Sequence, residues 1–276
     1  MSDSGTIVKL RDMAHRMRLK SLEMNHKVGH LGAHIGPALS SIEILACLYG
    51  DVMKLGRDGT PADLFIPSKA HCVLAYYTAL AFSGFFPEEE LETFEVNGSE
   101  LPGHPVRNDR KGISFSGGSL GMGPSVGIGV ALGWRRKGID RNVFVLVGDG
   151  ECNEGSVWEA FMSAAHYKLD NYVIVVDENK LQYDGTTDQV MSLGDLQGKL
   201  RSFGFDVSYV DGHDVAKLHP ALVAAARSRN GKPTAIIADT LKGKGVSFME
   251  GRKEWHHSRL TKEQYEQALA ELGQRS

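Results

Sequence analysis

The chain's 276 residues predict an α/β fold, a parallel sheet flanked by helices. Two runs rich in β-branched residues, VFVLVGDGECNEG at 143–155 and YVIVVDENKLQYDG at 172–185, are separated by a stretch long enough for one helix. Further strand-like and helix-like segments alternate towards the C-terminus, and such alternation implies parallel strands joined by crossovers. A hydrophobic content of 42% gives enough apolar side chain to bury a sizeable core.

In order along the chain, helices are expected over 6–26, 39–53 and 68–82. Ser40 and Ser68 stand where N-caps would, since a Ser hydroxyl can accept from orphan N–H groups of the first turn. A polar connection carrying Gly98, Pro102, Gly103 and Pro105 then leads to the glycine-rich loop GGSLGMG and a helix over 124–136. An irregular segment of that length inside an α/β fold marks function. A strand over 142–147 follows, and the second β-branched run supplies the next strand. Helix 194–203, strand 205–210, helix 214–229 and strand 234–239 complete the alternation. Residues 261–276 read as a C-terminal surface helix, and 1–276 as a single domain.

In a parallel sheet the carboxyl ends of neighbouring strands lie side by side, which would bring Asp149 and Asn179 to one crevice. The carboxylate of Asp149, the amide oxygen of Asn179 and a nearby backbone carbonyl form an all-oxygen set suited to Mg²⁺. That ion keeps ligand phosphates in its remaining positions. A helix starting near Gly150 would add N–H groups for those phosphates. The bland reading of Gly148-Asp149-Gly150 is a hairpin turn, but hairpin strands are not separated by a helix-length segment.

Bulk properties exclude several classes. A formal net charge of −3 gives no electrostatic reason to bind nucleic acid or an anionic membrane, so small molecules are the expected ligands. Cys47, Cys72 and Cys152 are widely spaced without a CxxC pair, which argues against a disulfide framework or a zinc site and fits a cytoplasmic protein. Basic residues interrupt the N-terminal segment, and no apolar run approaches the ~18 residues of a membrane span.

From about residue 10 to residue 260 the chain resembles the thiamin diphosphate-binding domain of transketolases. The segments carrying the resemblance arrive in family order: HLGAHIGPALSSIEIL at 30–45, DLFIPSKAH at 63–71, LPGHP at 101–105, GGSLGMG at 117–123, the GDG-to-Asn element, and LKGKGVSFMEGRKEWHH at 241–257. The resemblance implies the thiamin diphosphate-binding fold, with thiamin diphosphate and Mg²⁺ as cofactors. It implies that His34 and His104 face the donor's hydroxyls and that His71 and His256 lie nearer the diphosphate, His256 also serving catalysis. Gly118 and Leu120 would lie against the aminopyrimidine, and Gly150 and Asn179 at the diphosphate, with Leu181 joining Asp149 and Asn179 as the metal ligands. Glu154 and Glu159, counted with the cofactor-binding residues, match glutamates that the family places at the subunit interface, in a carboxylate cluster linking paired active sites.

A one-chain transketolase carries two further domains, so the resemblance implies the N-terminal subunit of a split enzyme. It would transfer a two-carbon ketol unit from a ketose or its phosphate to an aldose or its phosphate. Activity would require a C-terminal partner subunit with the pyrimidine-binding domain, in an α2β2 assembly. Ala33 and Ala70, where Gly is usual, and His257 after the Trp-His pair leave room for an unusual sugar. Another thiamin diphosphate enzyme subunit, of the deoxyxylulose-phosphate-synthase or 2-oxo-acid dehydrogenase kind, shares the GDG-to-Asn element. A non-catalytic thiamin diphosphate-binding regulatory protein is the alternative from a different class.

Histidines with pKa values near the working pH would suit the exchange of hydroxyl protons. His15, His166, His213 and His219 read as structural, and His26 and His30 carry no expected role. A zinc pairing of His30 with His34 fails because Gly32 weakens the helix that would align them.

Overall fold

The computed structural model describes residues 4–56 and 62–273. Five strands form a sheet in the order β1-β2-β3-β5-β4, every neighbouring pair parallel: β1 (Leu64–Pro67), β2 (Val143–Gly148), β3 (Tyr172–Glu178), β4 (Asp206–Asp211) and β5 (Thr234–Asp239). The period of two sorts each central strand between two apolar layers. Phe144, Leu146, Val173, Val175 and Ile236 join one core with helices α1 (Ser4–Lys27), α3 (Ile42–Cys47), α4 (Val73–Phe82) and α9 (Val215–Arg227). Val145, Val147, Ile174, Val176 and Ile237 join the other with α5 (Met122–Arg136), α6 (Gly155–His166) and α8 (Leu196–Phe203).

The crossovers explain where a cleft opens. β2 reaches β3 through α6 and β3 reaches β4 through α8 on one face, while β4 steps back to β5 through α9 on the other. Reversal of direction with a change of face is what right-handed crossovers require. Chain leaving the carboxyl ends of β2 and β3 therefore parts from chain leaving β1 and β5, and the gap between them is the crevice typical of open α/β sheets.

The parallel sheet and the alternation of strand and helix from β2 to the strand at 234–239 agree with the sequence pattern. Three local expectations need correction. β1, only four residues long and at the sheet edge, has no expected counterpart within DLFIPSKAH. The helix expected over 39–53 is divided into α2 (Ile35–Leu39), α3 and a π-turn at Leu48–Val52. Ser40 and Ser41 interrupt it because their hydroxyls donate to the Pro37 carbonyl and to buried Asp177 rather than capping a helix. Ser68 likewise donates to Glu151, and α4 starts only at Val73 after a 3₁₀ turn over Ala70–Cys72.

A short helix α7 (Thr187–Met191) follows the β3 loop, closed by a Thr186–Gln189 capping box. The C-terminal helix α10 (Lys262–Gly273) buries Ala268 and Leu272 in the first core, and Tyr265 stacks on His26 of α1 at 4.6 Å between ring centroids. Residues 274–276 of the expected tail helix lie outside the described residues. Among the described residues no helix is long and apolar enough to cross a membrane.

Candidate active site

At the carboxyl end of β2, Asp149 is 3% exposed and its carboxylate accepts from three groups. These are the Gly150 N–H at 2.8 Å, the Lys180 N–H at 2.6 Å and the Thr187 hydroxyl at 3.1 Å. The register that pairs Gly148 with Asp177 brings Asn179 into the same crevice. Its side chain is oriented: Nδ2 donates to Asp177 at 3.2 Å, which leaves Oδ1 as the acceptor, taking the Leu181 N–H at 3.2 Å. Lys180 between them adopts a left-handed φ of 65°, a conformation that few non-glycine residues take.

Asp177 is itself fully buried and saturated. Lys69, Ser40, Thr240 and Asn179 all donate to it, and although burial alone would push its pKa up, the Lys69 ammonium holds it below the usual carboxylate range. Asp149 moves the opposite way, raised by burial and by the neighbouring charge of Asp177. A second cation, Lys242, is 1% exposed and donates to the carbonyls of Leu181 at 2.7 Å and Gln182 at 3.2 Å. Burial and the proximity of Lys69 push it down to about 8.

The glycine-rich loop runs along the facing wall. Glu151, 2% exposed, accepts from the Gly121 N–H at 2.8 Å, the Gly148 N–H at 3.1 Å and the Ser68 hydroxyl, joining loop, β2 and the end of β1. A Cβ at Gly123 would stand 2.4 Å from that of Ser68, so only glycine lets the loop approach. Gly118 and Leu120 line the cleft, as does Gly150. The helix expected near Gly150 begins instead at Gly155; residues Gly150–Asn153 form a 3₁₀ turn, and the Gly150 N–H is taken by Asp149. Glu154 and Glu159 are exposed and do not line the cleft. Helix α6 buries Val157, Ala160, Phe161 and Ala164, which turns Glu159 to the opposite face.

Four histidines from distant parts of the sequence converge above this floor. The His34 ring lies 5.7 Å from His71, 5.3 Å from His104 and 5.5 Å from His256, and His71 stacks on His256 at 5.2 Å. His257 joins them edge-on to His34 at 4.5 Å. The cleft they share with Asp149, Asn179 and Leu181 has a volume of about 260 Å³. The expectation of pKa values near the working pH is not met at three positions. Burial and neighbouring imidazoles lower His34 to about 3, burial and Lys242 lower His256 to about 3, and burial and Lys69 hold His71 well below 6.5. These rings are neutral donors and acceptors at physiological pH. His213 and His219 pair instead with Glu43 and Asp51, away from the cleft.

Sequence reasoning misses Lys69, Glu151, Gln182, Tyr183 and Lys242, all of which line the cleft. The one signal for Lys242 is its place in LKGKG, in the same segment as His256, whose Nδ1 lies 3.1 Å from its ammonium.

The family described as transketolase, thiamine diphosphate binding domain, matches residues 11–276. The chain belongs to the transketolase family. An apulose-4-phosphate transketolase subunit of Actinobacillus succinogenes is 40% identical over 267 residues, covering 96% of this chain and 96% of that protein. The 6-deoxy-6-sulfo-D-fructose transketolase subunit SqwG of a Clostridium species is 39% identical, again with 96% of each covered. Among solved structures, transketolase from Leishmania mexicana superposes with a TM-score of 0.85 at 27% identity, covering 96% of this chain and 41% of that one. The chain thus spans nearly the whole of these two relatives and about two fifths of the solved transketolase. Its parallel sheet is the thiamin diphosphate-binding fold of transketolases, and these matches favour that family over the other thiamin diphosphate enzymes that share the GDG-to-Asn element.

The donor set fits a hard divalent cation. Among the described residues no group of three or more His, Cys, Asp or Glu side chains could hold a metal by itself. One carboxylate, one amide oxygen and one carbonyl leave positions that ligand phosphates would complete.

Proposed function

We propose that this chain is the cofactor-binding subunit of a two-component transketolase. The observation that carries the reading is the convergence of His34, His71, His104 and His256 on the cleft floored by Asp149, Asn179 and Leu181. Thiamin diphosphate, when bound with Mg²⁺, supplies the carbon nucleophile and the electron sink that carbon–carbon cleavage of a ketose needs. The protein's own residues would hold and orient. Asp149, the Asn179 amide oxygen and the Leu181 carbonyl take the cation; Gly150, His71, His256 and Lys242 face the diphosphate; Gly118 and Leu120 support the pyrimidine.

His34 and His104 take the sugar. His34 is a neutral ring, so it can accept a hydrogen bond from a hydroxyl at one nitrogen and donate one from the other without placing a buried charge beside Lys242. His256 lies between Lys242 and the other rings, suited to accept from the ammonium at Nδ1 and to present Nε2 to the substrate side. Glu154 and Glu159, exposed on and beside α6, belong to a carboxylate cluster between paired subunits.

A C-terminal partner would supply the pyrimidine-binding domain and the carboxylate that activates the aminopyrimidine, giving an α2β2 assembly in the cytoplasm. Support for such a partner comes from the relatives that are themselves named as subunits and matched along 96% of their length. Those relatives are named for a sugar phosphate and for a sulfo sugar, and both substrates carry an anionic group. A ketose with an anionic substituent is the substrate class proposed here.

The test is reconstitution. The purified chain and its partner, with thiamin diphosphate and Mg²⁺, are expected to transfer a two-carbon unit only when combined. Ketol transfer by the purified chain alone would overturn the two-component reading.

A further inference from the structure

A buried charge cluster lies behind the cleft, outside the residues assigned above. Glu43 of α3, 7% exposed, accepts from Arg18 of α1 at 2.7 Å and contacts His213 Nδ1 at 2.9 Å. Burial alone would raise its pKa, but the Arg18 charge and the His213 bond hold it at about 2. Each arm then grips one end of the same turn. The Leu241 N–H donates to His213 Nε2 at 2.9 Å, and Arg18 Nε donates to the Lys244 carbonyl at 3.0 Å.

These contacts fix the His213 tautomer. Nε2 accepts a backbone N–H, so it carries no proton; the ring's proton is on Nδ1 and is donated to Glu43. The turn it holds is tightly built, with Gly243 in a left-handed conformation at φ +78° and its N–H on the Gly36 carbonyl at 3.1 Å. Lys242 stands inside that turn. Its ammonium reaches the Leu181 and Gln182 carbonyls and the His256 ring, while the backbone on both sides of it is held by His213 and Arg18.

We infer that Glu43, Arg18 and His213 form a positioning clamp that sets the Leu241–Lys244 turn and, through it, the Lys242 ammonium at the anion-binding end of the cleft. None of the three lines the cleft; they act through Lys242. The inference rests on the cleft being a diphosphate site. A long, mobile lysine is a poor anion anchor unless its stem is fixed, because ordering it costs rotamer entropy on every binding event. The Leu181 and Gln182 carbonyls and His256 fix the side chain, and the clamp fixes the backbone from which it extends, so the charge is placed before an anion arrives.

The experiment compares His213→Phe, Glu43→Gln and His213→Gln in the assembled two-component enzyme. It reads thiamin diphosphate affinity at saturating Mg²⁺, donor KM at saturating cofactor, and amide hydrogen exchange across residues 240–245. His213→Phe strips the Leu241 N–H of its acceptor. It is expected to speed exchange in that turn and to weaken cofactor affinity about tenfold, as loss of outer-shell partners does, with donor KM unchanged. Glu43→Gln presents an amide where the carboxylate stood, and it is expected to act in the same direction should the Phe variant not fold. His213→Gln retains an acceptor oxygen and is expected to restore most of the affinity. Slower or unchanged exchange in both disruptive variants, or faster exchange with wild-type cofactor affinity, would overturn the clamp. Failure of the wild-type assembly to bind thiamin diphosphate would overturn the reading of the cleft, while the exchange data would still show whether the turn is held.

Discussion

The two halves of the cleft are built on different terms. At its floor, Asp177, Lys69, Asp149 and Glu151 are buried, and each carboxylate is tied by three or more donors from separate elements. In its upper wall the histidines come from irregular segments and meet chiefly ring to ring, and His104 and His257 are exposed. The floor has one arrangement, enforced by polar groups that cannot be left unpaired. The wall is held mainly by packing and can change residue by residue. The proposed cation set lies in the floor and the proposed sugar contacts, His34 and His104, lie in the wall, whose His71 and His256 are also proposed to reach the diphosphate.

The sharpest way to break that division is at the floor. Asp149→Ala removes the one carboxylate of the proposed cation set. It should weaken cofactor retention by more than the roughly 100-fold that loss of an outer-shell partner can cause, and abolish activity of the assembled enzyme. Calorimetric titration with thiamin diphosphate and Mg²⁺ checks this, and unchanged binding would refute the cation set. In the wall, His104→Ala should lower donor kcat/KM by about 100-fold, a typical loss for a proton-transfer group, with cofactor affinity intact. Steady-state kinetics with the donor varied at saturating cofactor separates the two effects.

Acidification tests the burial of the wall. His34 and His256 fall from 6.5 to about 3 in the folded chain, so between those values the unfolded state binds more protons. Stability is therefore full above about pH 6.5 and declines as pH falls towards 3. Thermal unfolding measured across that range should show the decline, and His34→Gln should flatten it. The smallest effect is expected at the rim. His257→Gly removes the ring edge-on to His34 and should change donor KM by up to about tenfold, the low end of what one pocket contact is worth, while leaving cofactor binding alone.

The floor is largely legible in the sequence because its ligands sit at the ends of two strongly apolar, β-branched runs. Register then follows from parallel pairing. Asp149 and Asn179 can be placed together for that reason, whereas the grouping of His34, His71, His104 and His256 comes from resemblance and not from any periodicity. The buried cations are hidden because lysines read as solvent-facing; nothing local to Lys69 shows that it will meet Asp177, more than a hundred positions later. Glu151 is harder to single out than Glu154 and Glu159 because the 3₁₀ turn at Gly150 displaces the start of α6 and with it the side of the chain that faces inward. The broken helix after His34 has the same origin, since Ser40 and Ser41 answer a carboxylate that lies far away in sequence.

The pairing of β1 with β2 carries a consequence for how the molecule comes into being. Leu64 must find Val143, whereas Val143 finds Tyr172 across a single helical crossover. Closing the longer loop costs more chain entropy, and parallel strands gain no contacts until it is closed. The Asp149–Asn179 end can therefore form while the segment bearing Ser68, Lys69 and His71 is still searching. Asp177 and Glu151 of the floor would then gain their Lys69 and Ser68 donors only when β1 docks, so the anchor is completed together with the wall rather than before it.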